Sequence, residues 1–395
     1  MLSIGIFTYS TKPRGSVVHA TYLAEALTRR GHDVTLYALS KASDLLYRDV
    51  ACGVVYLNAA KAPTEPDALI RQRVSEVATG LAELRPRHDV YHAEDCLVSS
   101  GMLAKRAELR LKPLVRTLHH LEHFVSPYLR ECQRRSILEA DAVVCVSQVS
   151  QRDVRRELGR ECPIIGNGVD VARFAPDAAL EARTRERFGV TPAERIVLSV
   201  GGVEPRKNSF CALEAMVPLL RQNPLLRWLI AGGDSIWEHD QYRAGFRDRL
   251  SRLPPEVQAR VVELGPVSEQ ELTGLYGISQ ILLCPSLQEG FGLCVLEAMA
   301  ARTAVVVSEG EPFSEYLTSD VACFVQPTSK ASIAEGVARL LRDDDLRERL
   351  ARRGEEHARG FAWERVALEH ERLYARTLFQ TSRRWIATHE DLAHA

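Results

Sequence analysis

The amino-acid sequence predicts an α/β protein built from two doubly wound parallel-sheet domains. The first observation is a complete βαβ unit: an apolar run at 3–9, a helical pattern at 17–30 that stops at Gly31, and a second run at 33–39. The second observation is that short apolar runs, most of them separated by polar helix-like segments, recur along the chain. The third is that this alternation breaks at 165–176 and then restarts, which predicts two sheets, each with ligands at the carboxyl ends of its strands.

In the N-terminal half, four further apolar runs are predicted to be strands. They lie at 89–93, 113–120, 141–147 and 162–168. The segment 165–176 contains turn residues and no obvious helical pattern, so we place the domain boundary there. An N-terminal domain is therefore predicted at residues 1–165.

The pattern restarts with a predicted strand at 195–202 and a predicted helix at 208–220. The remaining strand candidates lie at 227–233, 260–265, 280–286, 303–309 and 321–327. Residues 361–387 have the pattern of a long amphipathic helix. We expect a C-terminal domain at 166–360 and a helical segment at 361–395, with the two sheet domains facing one cleft.

Composition excludes several classes of protein. The 395 residues carry a net charge of −1 from 51 basic and 52 acidic side chains, which argues against bulk electrostatic binding to nucleic acid. Residues 1–10 have the pattern of a strand and not of a signal peptide, and no apolar run approaches the roughly 20 residues of a membrane span. Nine cysteines form no C-x-x-C pair, which is typical of buried thiols in a reducing cytoplasm.

A cationic loop follows the predicted strand at 195–202. Arg206 and Lys207 stand directly before the predicted N-cap residue Asn208. Two adjacent cations oppose the macrodipole of the helix unless an anion joins them, so the loop suits a phosphate or diphosphate. The alternative is a solvated pair of charges, and position alone does not decide between the two.

The segment P-S-L-Q-E-G-F-G-L-C-V-L-E combines two acids with a glycine loop. On a helix that begins at Leu293, Glu297 lies beside the apolar stripe, where a carboxylate needs donor partners such as sugar or ribose hydroxyls. Gly290 and Gly292 would expose backbone N–H groups suited to an anionic oxygen. One segment could thus hold hydroxyls and phosphate together, as a nucleotide sugar requires, although a surface salt bridge is the alternative.

Two other groups of residues are candidates at strand ends. Gly15 and Ser16 would let a ligand approach the backbone of the first loop, but they lack the G-x-G-x-x-G pattern of a dinucleotide site, and an ordinary βα turn is the alternative. His92, His119 and His120 end predicted strands, where a structural role is the alternative. No acid or cysteine at ligand spacing accompanies them, so we expect no metal site.

These residues, in this order, resemble glycosyltransferase family 4, the group 1 family of retaining glycosyltransferases with the GT-B fold. E-G-F-G-L-C-V-L-E at 289–297 looks like the E-x7-E motif of the family, and 200–208 resembles its diphosphate-binding loop. The segments 140–147, 166–176 and 265–276 also match in the expected order, so the resemblance covers nearly the whole chain. Gly201-Gly202 and Gly15-Ser16 depart from the usual Gly-Arg and Gly-Gly pairs, and 298–305 lacks a turn glycine.

The resemblance implies a role for each matching residue. Arg206 and Lys207 would neutralise the donor diphosphate, and Glu297 would hold the ribose hydroxyls. Glu289 would contact the transferred sugar, close to the backbone of Gly290, Phe291, Gly292 and Leu293. His119 would touch the sugar from the N-terminal domain, and Gly15 and Ser16 would approach the phosphate. The N-terminal domain would take the acceptor, and the last helix would return to that domain.

The sequence therefore predicts a cytoplasmic, metal-independent glycosyltransferase that has no cofactor and uses a nucleotide diphosphate sugar as donor. The acceptor could be a glycan, a lipid or a small molecule. Arg130, Arg134 and Arg135 form a small basic cluster, which would allow at most peripheral membrane contact. The alternative is that they form a solvated helix face. The alternatives are a nucleotide-sugar epimerase or hydrolase on the same fold, and a non-catalytic nucleotide-sugar binding protein. A dehydrogenase is disfavoured because the glycine fingerprint is missing.

Overall fold

The computed structural model describes residues 1–41, 44–63, 65–233 and 240–393, with side chains as far as residue 382. Contacts divide the chain into two compact units. The first unit contains Met1–Asn167 together with Trp363–Ala395, and the second contains Gly168–Ala362. Each unit has a six-stranded sheet in which every recorded strand pair is parallel.

The elements of the first unit alternate between strand and helix. They are β1 (Ser3–Thr8), α1 (Gly15–Arg29), β2 (Asp33–Lys41), β3 (Gly53–Ala59), α2 (Pro66–Leu84), β4 (Val90–Ala93), α3 (Cys96–Leu109), β5 (Leu114–Leu118), α4 (Pro127–Leu138), β6 (Ala142–Cys145), α5 (Gln148–Leu158) and the C-terminal α15 (Trp363–Ala393). The strand order is β3-β2-β1-β4-β5-β6. Helix α15 packs against α1.

The second unit repeats the same plan. Its elements are α6 (Val171–Phe174), α7 (Ala178–Phe188), β7 (Arg195–Val200), α8 (Ser209–Gln222), β8 (Leu226–Ala231), α9 (Asp240–Ser251), α10 (Pro255–Gln258), β9 (Val261–Gly265), α11 (Glu269–Ile278), β10 (Ile281–Cys284), α12 (Leu293–Ala300), β11 (Ala304–Ser308), a 3-10 turn (Phe313–Glu315), β12 (Cys323–Val325), α13 (Lys330–Arg342) and α14 (Asp344–Ala358). The strand order is β12-β11-β10-β7-β8-β9.

Both strand orders are that of the dinucleotide-binding α/β sheet, in which the chain reverses direction beside the first strand. The reversal lies between β1 and β4 in the first unit and between β7 and β10 in the second. Loops that leave the carboxyl ends of these neighbouring strands form the ligand site of such sheets. The predicted fold class of two doubly wound α/β domains is confirmed.

The cores lie between each sheet and its helices. Fully buried side chains such as Phe7 and Val77 pack in the first unit, and Trp228, Met216 and Val306 pack in the second. Sheets covered by helices in this way explain why the strands have continuous apolar sequences and not alternating ones. All nine cysteines are free thiols.

Three local predictions need correction. Strand β3 was not predicted; it is an edge strand, and Gly53 and Tyr56 are exposed, so its apolar signal is weak. The run 162–168 is not a strand, because only Ile164 makes an isolated bridge, to Cys145. The segment 165–176 does contain a helix, the single turn α6, which begins where the Asp170 carboxylate accepts from the Arg173 N–H.

Candidate functional site

The cationic loop leaves β7 through two glycines that have positive φ angles, 115° at Gly201 and 76° at Gly202. A Cβ on Gly201 would lie 2.4 Å from Cε of Lys207, and a Cβ on Gly232 would lie 2.4 Å from the backbone nitrogen of Gly202. Only glycines permit this close approach of the β7 and β8 loops. The lysine stem lies in the space that they leave.

The loops after β7 and β10 are joined because these strands are neighbours at the reversal point. The Leu287 N–H donates to the carbonyl oxygen of Arg206 at 2.9 Å. The Asn208 side-chain amide donates to the carbonyl oxygens of Pro285 (3.0 Å) and Pro327 (2.7 Å). Asn208 is the N-cap residue of α8, as predicted, but its side chain ties loops together and does not cap the helix.

Lys207 and Arg206 converge on Glu289 from the neighbouring loop. Lys207 Nζ lies 2.6 Å from Glu289 Oε1, and an Arg206 guanidinium nitrogen lies 2.9 Å from Glu289 Oε2. The Ser286 hydroxyl also donates to Oε1, at 2.9 Å. The anion that two cations need at a helix start is therefore already supplied by the protein, a partner that the sequence did not reveal.

The charges of this cluster stabilise one another. Burial alone would raise the pKa of the Glu289 carboxyl, but the Lys207 and Arg206 charges outweigh burial and lower that pKa to about 2. Burial would likewise lower the pKa of Lys207, and the Glu289 charge instead raises it. The cluster consequently stays fully ionised at neutral pH, with one more positive than negative charge among these three side chains.

Glu297 lies in the second turn of α12, in the same loop–helix segment. It is buried, and one of its carboxylate oxygens accepts from the Tyr276 hydroxyl at 2.8 Å. Burial raises the pKa of Glu297 to about 7, and the bond from Tyr276 opposes this only in part. The predicted position at the edge of an apolar helix face is thus a buried position, where Tyr276 is the donor found among the described residues.

Helix α12 begins directly after the glycine loop. Its N-cap residue Gly292 has a φ of 93°, and no side chain caps this terminus. Phe291 stacks on Tyr316 with ring centroids 4.7 Å apart, and the Tyr316 hydroxyl donates to the Phe291 carbonyl at 2.8 Å. The aromatic stack holds the loop in place while Gly290 and Leu293 flank the helix start.

In the first unit, the predicted pair Gly15 and Ser16 forms the first turn of α1. The N-cap residue Arg14 makes no side-chain cap. A Cβ built on Gly15 meets nothing within 4 Å, so the space beside this helix start is open.

His119 follows β5 and lies beside Glu94, which follows β4. His119 Nε2 lies 2.9 Å from Glu94 Oε2, and His19 Nδ1 of α1 lies 3.0 Å from the same oxygen. His92 is fully buried and bonds Tyr374 and Thr117, a structural role. His120 bonds Glu122 at 2.5 Å, away from this cluster.

Within the described ranges, His19, Glu94 and His119 are the set of side chains that could hold a metal ion. Their separations of 2.9 and 3.0 Å are hydrogen-bond distances. The other ring nitrogen of His19 is buried without a partner, whereas a metal-binding histidine almost always donates from its second nitrogen. The geometry therefore fits a hydrogen-bonded network better than a metal site.

Several residues of these clusters were not anticipated, among them His19, Glu94 and Tyr276. Glu94 directly follows the predicted strand at 89–93, so its position at a strand end was a usable signal. The Arg130, Arg134 and Arg135 guanidinium groups all have partners: Arg134 and Arg135 bond glutamates of the same helical segment, and Arg130 bonds the Phe124 and Val125 carbonyls. No helix in the described ranges is both long enough and apolar enough to cross a bilayer.

Family models match both halves of the chain. The model described as "Glycosyltransferase Family 4" matches residues 13–173. The model described as "Glycosyl transferases group 1" matches residues 181–357, which include Lys207, Glu289 and Glu297.

Curated relatives match over most of their length. A D-inositol 3-phosphate glycosyltransferase of Nocardia farcinica is 27% identical and covers 89% of this chain and 82% of the relative. The protein of the same name from Acidothermus cellulolyticus is 29% identical, with 89% and 83% covered.

Among solved structures, sucrose-phosphate synthase of Thermosynechococcus elongatus superposes with a TM-score of 0.79 at 21% identity, over 96% of this chain and all of that one. The HepE protein of Anabaena, in complex with UDP-glucose, gives a TM-score of 0.75 at 20% identity, over 96% of this chain and all of that one. At these identities the structures show a shared fold.

Proposed function

This chain belongs to the group 1 glycosyltransferases of family 4, and from that premise we propose that it transfers a sugar from a nucleotide diphosphate sugar to an acceptor hydroxyl with retention of configuration. It is an enzyme of the EC 2.4 class, and its substrates include a nucleotide sugar. We further propose that the reaction retains the anomeric configuration, that it requires no metal, and that the site residues have the roles given below. Its place of action is proposed to be the cytoplasm, to which nine free thiols are suited.

One observation carries the proposal: Lys207 and Arg206 converge on the carboxyl ends of β7 and β10, next to an uncapped helix start. Charge grows on the diphosphate as the sugar leaves, and fixed cations and backbone N–H groups stabilise that charge without reorganising. Arg206 keeps 31% of its side chain exposed, so a phosphate can reach its guanidinium group.

Glu289 holds both cations in place in this proposal, and its carboxylate also contacts the transferred sugar. A carboxylate whose pKa is held near 2 by two cations is a poor base and a poor nucleophile at neutral pH. This supports front-face attack, in which the departing phosphate accepts the proton of the acceptor, over a double displacement through an enzyme carboxylate.

Glu297 is proposed to accept the ribose hydroxyls of the donor. It is buried, and Tyr276 is its donor within the part of the chain that the structure describes, so its carboxylate retains further acceptor positions for a ligand. A hydroxyl bound there would favour the ionised form and lower the raised pKa of this group.

The proposal is tested by incubating the protein with a panel of nucleotide sugars and acceptors that includes inositol 3-phosphate, a glycan and a lipid. Inositol 3-phosphate is chosen because two relatives carry it in their names. Release of nucleoside diphosphate that depends on an acceptor, with a product of unchanged anomeric configuration by NMR, is the expected result. Inverted product would overturn retention, and release into water alone would favour the hydrolase, which neither the matched family models nor the relatives named above describe.

A further inference from the structure

Glu94 is a buried carboxylate that two histidines share at the strand-reversal point of the first unit. Its side chain is fully buried, as is that of His19, whereas His119 keeps 16% of its side chain exposed. Oε2 of Glu94 lies 2.9 Å from His119 Nε2 and 3.0 Å from His19 Nδ1. His119 is therefore the member of this cluster that a ligand can reach.

The charges around Glu94 decide which atoms carry protons. It is faced by His19 from α1, His92 from β4, Arg116 from β5 and His370 from α15. Burial opposes ionisation of Glu94, but its histidine neighbours hold its pKa well below the ordinary value. Burial lowers the pKa of His119 to about 4, against the effect of the Glu94 bond. At neutral pH the cluster is then an ionised carboxylate beside a neutral His119.

An ionised carboxylate can only accept hydrogen bonds, so the proton of neutral His119 must lie on Nε2. The second nitrogen, Nδ1, then carries a lone pair. Among the residues that the structure describes, none bonds His119 Nδ1, and this atom is not among the buried unpaired ones. Nδ1 is thus presented to solvent as an acceptor.

We propose that Glu94 is a positioning residue, which holds His119 with its proton on Nε2 so that Nδ1 accepts a hydrogen bond from a hydroxyl of the sugar substrate. The fixed tautomer is inferred from the contacts and the charges of this cluster, whereas the hydroxyl partner rests on the proposed function. The logic is that of the aspartate in a catalytic triad, which fixes the tautomer and orientation of its histidine. Without Glu94 the ring would be free to rotate and to change tautomer.

The first experiment is NMR of the free protein labelled with ¹⁵N-histidine, with His119 assigned by its loss in His119→Gln. We expect a downfield, exchange-protected Nε2–H proton on His119 and an unprotonated Nδ1. Glu94→Met, which has similar length and no acceptor, should lose the protected proton. Asp95→Asn is the matched control, because Asp95 is the adjacent, partly buried carboxylate and caps α3 without a recorded contact to His119; it should keep the signal.

The second experiment is a double-mutant cycle on sugar transfer with Glu94→Gln and His119→Gln. Glu94→Gln should lower kcat/KM for the nucleotide sugar by roughly 10- to 100-fold, the scale of a bond to a charged group. The double variant should be no slower than His119→Gln, because Glu94 acts only through that ring. Additive losses would overturn the positioning role.

The two experiments separate failure of this proposal from failure of the proposed function. If wild-type His119 carries its proton on Nδ1, or if Glu94→Met retains the protected Nε2–H, the positioning role is wrong even when the enzyme transfers sugar. If the protected proton is present and depends on Glu94 but no nucleotide sugar is used, the tautomer assignment stands and the hydroxyl partner falls with the proposed function.

Discussion

The Lys207 ammonium and the Glu289 carboxylate lie 2.6 Å apart, and both side chains are mostly buried, with 13% and 8% exposed. This pair joins the loop after β7 to the loop after β10 at the point where the sheet reverses. We expect a pair in this position to stabilise the ligand-free protein, and in the proposed function it also holds a cation ready for an anionic ligand.

The first prediction concerns stability. Lys207→Ala should lower the free energy of unfolding of the ligand-free protein by about 1.5–3 kcal/mol, because Glu289 loses a charged partner but keeps Arg206 and Ser286. Urea unfolding without ligand measures this.

The matched control is Lys330→Ala. Lys330 Nζ also lies 2.9 Å from a carboxylate, that of Glu214, but 65% of its side chain is exposed. Its loss should cost less than about 1 kcal/mol. Equal effects of the two substitutions would mean that burial does not strengthen the Lys207–Glu289 pair.

The second prediction concerns pH and Glu297, whose pKa burial raises to about 7. Between pH 5 and 8 the unfolded carboxyl is already ionised, while the folded one must still lose its proton, so this group makes the protein less stable as pH rises. Glu297→Gln does not titrate. From pH 5 to pH 8 the stability of this variant relative to wild type should therefore improve by about 1–3 kcal/mol.

Thermal or urea unfolding at several pH values checks this prediction. Parallel stability profiles of the wild type and Glu297→Gln would show that Glu297 is already ionised at pH 5. Tyr276→Phe, which removes the donor to Glu297, should shift the wild-type transition to higher pH.

The third prediction concerns the first turn of α1. Gly15→Ala should leave the free protein at least as stable, because the added methyl group meets nothing within 4 Å and alanine favours helix. If the backbone here receives a substrate phosphate, the KM for that substrate should rise.

Gly159→Ala provides the contrast, since its Cβ is equally unobstructed but its φ is 64°. This variant should lose about 1 kcal/mol of stability with unchanged KM. A KM for Gly15→Ala equal to that of wild type would show that this loop does not contact the substrate.

The fourth prediction concerns metal ions. Arg206 and Lys207 already supply positive charge at the proposed diphosphate site, so EDTA should leave most of the transferase activity intact. The measurement is the transfer rate before and after chelation. Loss of activity that Mg²⁺ or Mn²⁺ restores would show that the metal-independent mechanism is wrong.

Most of the fold could be predicted because its strands are covered by helices and have continuous apolar sequences. Strand β3 was not predicted because it lies at a sheet edge and exposes Tyr56, which weakens its apolar signal. The run at 162–168 was wrongly predicted as a strand, because apolar character alone does not show whether a neighbouring strand pairs with it.

The residues of the candidate site could be predicted one by one, but the contacts between them could not. Arg206, Lys207, Glu289 and Glu297 were identified from strand ends and helix starts, which are local signals. That Lys207 and Glu289 bond each other depends on β7 and β10 being neighbours, which is a property of sheet order. The bond between Glu94 and His119 could not be predicted for the same reason, since these residues are 25 positions apart and follow two neighbouring strands.

The fifth prediction tests the central claim, which is that this charged cluster binds the diphosphate of a nucleotide sugar. The measurement is calorimetric titration of a nucleoside diphosphate and of the matching bare nucleoside into wild type and Arg206→Ala. Arg206 is the more exposed cation, so its loss should weaken the diphosphate by roughly 10- to 100-fold, the scale of a bond between charged groups, and leave the nucleoside unchanged. Equal losses for the two ligands, or no loss for either, would contradict the claim.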